Sequence, residues 1–197
     1  MMIESLENRC LLSATLSAGV LTVTGTAGND KIHVEAGGTK LNVDVNHTKQ
    51  SFKLSDVKSL IVNGLAGNDK IDLGHSAPAA VINGGDGNDR INGSNNADSI
   101  DGGAGNDWIF GDGGNDVING GDGNDILVGG RGNDIIHGGA GNDVISGSEG
   151  DDQLFGDAGD DKLNGGPGKD KIDGGAGTDT AHKDKNDVLT SVEKARP

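Results

Sequence analysis

From Gly84 to His182 a large aliphatic side chain returns at every ninth position, shrinking only at the last, Ala181, with variable neighbours on either side and a polar, glycine-rich stretch between. Each trio x-U-x, where U is the aliphatic residue, predicts a minimal strand whose central side chain faces one way and whose neighbours face the other. The six residues between trios, mostly Gly, Asn and Asp, predict a turn, because several positions there need φ > 0 or leave no room for a Cβ. Nine residues therefore make half a coil, and two such units make one 18-residue turn of a parallel solenoid. Ile91, Ile109, Leu127, Ile145 and Leu163 stack from one wall; Ile100, Ile118, Ile136, Leu154 and Ile172 face them from the other. These ladders are nearly the whole expected core, and one aliphatic side chain per nine ordered residues is thin against the conformational entropy of folding.

The pattern changes outside this stretch. Leu21–Thr24, Lys31–Val34, Leu41–Val45, Gln50–Leu54 and Leu60–Val62 alternate with the period of half-exposed strands, and Gly37-Gly38 and Asn46-His47-Thr48 read as hairpin turns. Two degenerate nonapeptides, Gly25–His33 and Gly64–Asp72, are embedded here, and the segment between them reads as a hairpin excursion from the same solenoid. The competing reading is a separate small β domain. Leu73–Asn83 is expected to be a coil without a ligand turn. Asp187–Glu193 is expected to be one final, polar-flanked strand, a cap of the kind solenoids require. The domain reading is 1–17, a targeting-like or disordered N-terminus; 18–83, an N-terminal β segment that caps the first coil; 84–182, eleven nonapeptides; and 183–197, a C-terminal cap.

With the nine positions counted from the first glycine, position one is Gly and position six is Asp in all eleven copies. Turn chemistry alone also accepts Asn, Ser or Gly at position six. At coil spacing, Asp89, Asp107, Asp125, Asp143, Asp161 and Asp179 form one column of carboxylates. Asp98, Asp116, Asp134, Asp152 and Asp170 form a second on the opposite edge. Like charges in register would split the stack. A hard cation between coils reverses the sign, and calcium suits the flexible set of carboxylate and carbonyl oxygens better than magnesium, which demands a stricter octahedron.

The unit Gly-Gly-x-Gly-x-Asp-x-U-x, clearest at Gly120–Val128 and Gly138–Ser146, resembles the calcium-binding nonapeptide of RTX (repeats-in-toxin) haemolysin-type proteins. The resemblance implies an all-β, right-handed parallel β-roll with several Ca2+ ions, each between one turn and the next but one. Implied ligands are the position-six aspartates of both turns and carbonyls such as those of Gly102, Ala104, Gly120, Asp122, Gly129, Arg131, Gly138 and Ala140. Eleven repeats taken two apart leave about nine inter-turn sites. Asp30 and Asp69, in the degenerate copies, are weaker metal candidates. Gly93–Asp98 has lost two glycines, and its turn is expected to survive with Asn96 in the left-handed region.

Composition narrows the function. With 32% apolar and 2% aromatic residues the chain lacks the material of a conventional globular core, and 37 glycines are compatible with structure only because they are periodic. A net charge of −15 argues against nucleic acid and anionic membranes as partners. Cys10 is the single cysteine, and no apolar run reaches the 18 residues of a membrane span. An EF-hand loop would end in Glu, which is scarce here, and a carboxylate column repels phosphate. His33, His47, His75, His137 and His182 share no register, and no zinc helix, nucleophile elbow or Walker loop occurs. Enzymes of the resembled family keep their chemistry in a separate domain.

Leu6-Glu7-Asn8-Arg9-Cys10-Leu11-Leu12 resembles the Leu-Glu-Pro-Arg-x-Leu-Leu motif of bacterial surface and secreted proteins, with Asn8 in place of Pro. The expected function is a calcium-binding, calcium-folded β-roll without catalysis of its own, secreted or at the cell surface. The alternatives are an adhesion or matrix module for a polysaccharide or another surface, and a carbohydrate-active β-helix enzyme such as an alginate epimerase. Outward positions seven read as mixed along the chain (Arg90, Ser99, Trp108, Val117, Ile126, Ile135), which argues against an ordered binding face, and Trp108 reads as a lone exposed aromatic.

Overall fold

An aliphatic residue that recurs every nine positions is passed alternately to opposite walls, so residues 18 apart become neighbours. In the computed structural model, which describes residues 13–196, they do so in two long sheets of ten and eleven strands. Ile100 pairs with Ile118, Ile118 with Ile136, Ile136 with Leu154 and Leu154 with Ile172 in one parallel sheet. Ile91, Ile109, Leu127, Ile145 and Leu163 do the same in the other. All ten side chains are buried. The expectation of an all-β solenoid of stacked 18-residue coils therefore stands, with one short 3-10 turn, Leu54–Asp56, off the sheets.

The N-terminal strands belong to the same two sheets. Val20–Thr24, Ser59–Ala66 and Ala80–Asp86 lie parallel in the ten-stranded sheet. Lys31–Gly37 and Lys70–Leu73 lie parallel in the other, with Ile32 beside Ile71 and Ile71 beside Ile91. Lys40–Val45 and Thr48–Lys53 extend that sheet antiparallel, through turns in which Gly38, Asn46 and His47 have positive φ.

Three expectations are corrected. Ser13–Ser17, read as part of a targeting-like or disordered N-terminus, is a strand antiparallel to Val20–Thr24 through a turn at Ala18 and Gly19, and Ala14 and Leu16 pack against the core. The Leu6–Leu12 motif lies outside the described residues. Asp187–Glu193 is not one strand: Val188–Thr190 joins one sheet and Lys194–Arg196 the other. Asn96 does not enter the left-handed region. Its amide proton instead binds the Ser94 hydroxyl (3.1 Å) and its side-chain amide donates to the Ala77 carbonyl (2.8 Å), so the turn closes by side-chain bonds.

Glycine is needed where the turn is left-handed: Gly121 and Gly123 sit at φ 107° and 142°. Position two of the repeat at 64–72 holds Leu65 at φ 89°, with its side chain 45% exposed, so it carries left-handed strain and little burial. Leu65→Gly should raise stability by about 1 kcal/mol. By contrast, Leu127→Ala, in the fully buried ladder, should lower it by about 2–5 kcal/mol. Denaturant midpoints in excess calcium check both.

Candidate metal centre

All thirteen candidate aspartates, Asp30 and Asp69 included, are buried, with exposures of 0–3%. Their position follows from the turn: Asp is the last turn residue before the strand trio, so its side chain is turned in between coils. Within each column the amide of one aspartate donates to Oδ1 of the aspartate one coil on. Asp107 N reaches Asp125 Oδ1 at 2.7 Å, Asp125 N reaches Asp143 Oδ1 at 2.8 Å, and Asp134 N reaches Asp152 Oδ1 at 2.8 Å. Upstream, the same bond joins Asp30 to Asp69 and Asp69 to Asp89.

The second oxygen behaves differently. Oδ2 of Asp69, Asp89, Asp107, Asp116, Asp125, Asp134, Asp143, Asp152, Asp161, Asp170 and Asp179 is buried without any hydrogen-bond donor. It lies beside the position-one glycine of its own repeat, where, from Asp69 to Asp161, the position-one carbonyl of the following coil also arrives. A Cβ built on Gly102 would stand 2.4 Å from Asp107 Oδ2 and 2.5 Å from the Gly120 carbonyl oxygen. On Gly111 it would meet Asp116 Oδ2 at 2.3 Å and the Gly129 oxygen at 2.6 Å. Gly84 and Gly120 hold the Gly102 and Gly138 oxygens in the same way. Position one is thus Gly throughout because any side chain would fill the place where two oxygens converge. The position-three carbonyls of Ala104, Asp122, Arg131 and Ala140 each accept an amide proton from position four of the preceding coil and keep a second lone pair.

Two of the candidates are saturated by protein donors. Asp98 accepts Ser94 N on Oδ2 and Ala80 N on Oδ1, both at 2.7 Å. Asp30 accepts Thr26 N on Oδ2, and the side-chain amide of Asn46 donates to its Oδ1. Asp69, its partner in the degenerate copies, keeps the free oxygen.

Position five carries a role that the sequence reading missed. Its side-chain oxygen accepts the amide of position five one coil on, as when Asn106 N donates to Asn88 Oδ1 and Asn124 N to Asn106 Oδ1, both at 2.7 Å. This ladder runs opposite to the aspartate ladder, so adjacent coils are clamped from both directions. The recurrence of Asn or Asp at position five was the available signal.

Burial raises the carboxyls of Asp69, Asp107, Asp116, Asp143, Asp152 and Asp161 and neighbouring aspartates add to the rise, while the amide bonds oppose it. Asp107 and Asp116 are pushed up to about 7, and Asp69, Asp143, Asp152 and Asp161 to about 6. Among the described residues no three His, Cys, Asp or Glu side chains converge. The donor set at each step is therefore carboxylate plus backbone carbonyl. An all-oxygen set with an orphaned, acidic, buried member fits a hard cation such as calcium and does not fit the thiolate and imidazole preferences of zinc.

Trp108 is not alone. Alternate repeats go to opposite sheets, so Arg90, Trp108, Ile126 and Val144 are neighbours at position seven on one outer face, with Phe110 and Val128 beside them at position nine. Ser99, Val117 and Ile135 fall on the other face. The Arg90 guanidinium lies 5.7 Å from the ring centres of both Trp108 and Phe110.

Against models of known families, the RTX calcium-binding nonapeptide repeat matches in four copies, at residues 22–38, 83–118, 119–154 and 146–181, which together cover more than half of the chain. A search of curated proteins finds no match.

The raised carboxyls set a pH dependence. Without metal, the folded chain binds protons more tightly than the unfolded chain, so this contribution is complete below about pH 4 and is lost as pH rises through about 6 to 7. The metal-free protein should therefore show more β signal in circular dichroism at pH 5 than at pH 8. Apparent calcium affinity should move the other way and weaken on acidification, since the proton competes for the same oxygen. Metal-free spectra and calcium titrations across that range check both signs.

Proposed function

Because the chain belongs to the family of RTX calcium-binding nonapeptide repeats, we propose that it is a non-catalytic β-roll whose folding is driven by calcium outside the cell. The observation that carries this reading is the row of buried, donorless Oδ2 atoms, which from Asp69 to Asp161 each converge with a position-one carbonyl. Asp69, Asp89, Asp107, Asp116, Asp125, Asp134, Asp143, Asp152, Asp161, Asp170 and Asp179 hold the ions, with the position-one and position-three carbonyls of neighbouring coils. Asp98 and Asp30 contribute less, since their oxygens already hold protein donors.

A bound cation supplies the positive charge that lets these carboxylates stay ionised in register. The chain supplies the spacing, the carbonyls and the exclusion of water. In a low-calcium cytosol the formal charge of −15 keeps the polypeptide expanded and ready for export. External calcium, at the roughly 10⁻⁴–10⁻³ M affinity of extracellular modules, closes the coils. No helix among the described residues is long and apolar enough to cross a membrane.

Surface attachment is a second reading, favoured by the Arg90–Trp108–Phe110 cluster. The row Lys31, Lys70, Arg90 runs in register into these rings. Cations beside exposed rings suit an acidic polysaccharide, whose sugars stack on aromatic faces while its carboxylates pair with the row.

Calcium added to chelator-treated protein should produce a cooperative change from coil to β signal in circular dichroism, and magnesium should not. Asp125→Asn should shift the midpoint to higher calcium. An unchanged wild-type spectrum would sink the reading. For the second, Trp108→Ala should abolish retardation of the calcium-loaded protein in alginate affinity gels while leaving its calcium titration unchanged. Equal migration of wild type and variant at all alginate concentrations would remove it.

A further inference from the structure

The segment after the last nonapeptide carries the carboxylate ladder onward. Asp187-Val188-Leu189-Thr190 and Glu193-Lys194-Ala195-Arg196 each place an acid before a three-residue strand, as position six does. They do so at 17 and 14 residues from Asp170 and Asp179 instead of 18, and without the glycines. Leu189 pairs with Ile172 and Ala195 with Ala181, so both strands stay in register with the core ladders. Asp170 N donates to Asp187 Oδ1 at 3.2 Å, and Asp179 N donates to Glu193 Oε2 at 2.7 Å. Val188 N and Lys194 N donate back to the carbonyls of Asp170 and Asp179, as Ile126 N does to Asp107.

The two steps differ in what they leave free. Asp187 also accepts Asp184 N on Oδ2 at 2.7 Å, the same self-closed arrangement as Asp98 at the other end of that column. At the Glu193 step, Asp179 is fully buried and its Oδ2 has no donor. Ser191 stands where position one would be: Gly174 N donates to the Thr190 carbonyl, as Gly93 N does to that of Phe110. A Cβ on Gly174 would meet the Ser191 carbonyl oxygen at 2.2 Å and Asp179 Oδ2 at 2.5 Å, the same convergence found at every orphaned aspartate with a consensus coil above it.

We infer that Asp179 Oδ2, the Ser191 carbonyl and the Glu193 carboxylate form a further calcium site outside the repeat consensus, which latches residues 183–196 onto the roll. Glutamate is one methylene longer than aspartate, and that reach offsets the four residues missing from this coil. The tail is therefore held by metal as well as by its two short strands. The latch rests on the calcium reading above, and its consequence is separate: order in the tail depends on calcium through Glu193.

Hydrogen exchange of the full chain, with and without calcium, tests it alongside calcium stoichiometry by equilibrium dialysis. At calcium about ten times its dissociation constant, wild-type amides in residues 191–196 should slow about tenfold. Glu193→Gln should lose one bound calcium and that tail protection while keeping protection of residues 120–146. Glu193→Asp should restore part of both. Tail protection and stoichiometry unchanged in Glu193→Gln would overturn the latch while leaving the roll intact. Protection by calcium in neither region would overturn the parent reading and the latch together. A Glu193→Gln chain that loses protection throughout would overturn a purely local latch, and the Glu193→Asp variant would then show whether the carboxylate or the fold of the tail is at fault.

Discussion

Each interior aspartate of the two columns commits one oxygen to the amide of the coil before it and leaves the other buried without a donor. The committed oxygen fixes coil separation and register. The free one makes the metal-free stack costly at neutral pH, since a desolvated carboxylate beside others of its kind is stabilised only by a proton or a cation. Position one must be glycine because the free oxygen and the next carbonyl meet where a Cβ would stand. One aliphatic side chain per half coil can serve as a core because hydrogen-bond ladders, running both ways through positions five and six, already hold adjacent coils together.

The outer members of the columns solve a different problem. Asp30, Asp98 and Asp187 face coils that have lost the repeat, and each takes an amide from its own loop, Thr26, Ser94 or Asp184, in place of a second coil. A self-closed carboxylate has both oxygens satisfied by protein donors and needs no cation. Glu193 is the exception, reaching across to a consensus aspartate that remains unsatisfied.

The outer faces are organised by the same alternation that builds the core. Successive repeats are dealt to opposite sheets, so a property carried by every second repeat concentrates on one face. Trp108, Ile126 and Val144 become one patch, flanked by Lys70 and Arg90 on one side and Lys162 on the other. A chain of strong net negative charge thereby presents a local face of the opposite character.

By itself, the sequence determined the solenoid, the coil length, the two aliphatic walls and the aspartate columns. Each is written within nine residues and repeated until chance is excluded, and local turn chemistry supplies the reason. Tertiary structure decided what depends on partners a coil or more away. Which oxygen is free at Asp125 and which is taken at Asp98, how the Asn96 turn closes, and what surrounds Trp108 all follow from inter-coil register. Where spacing departs from 18, as at 39 and 20 residues upstream and 17 and 14 in the tail, period alone could not align the partners. There the sheets set the register, because backbone pairing and a buried aliphatic ladder tolerate loops of unequal length between strands.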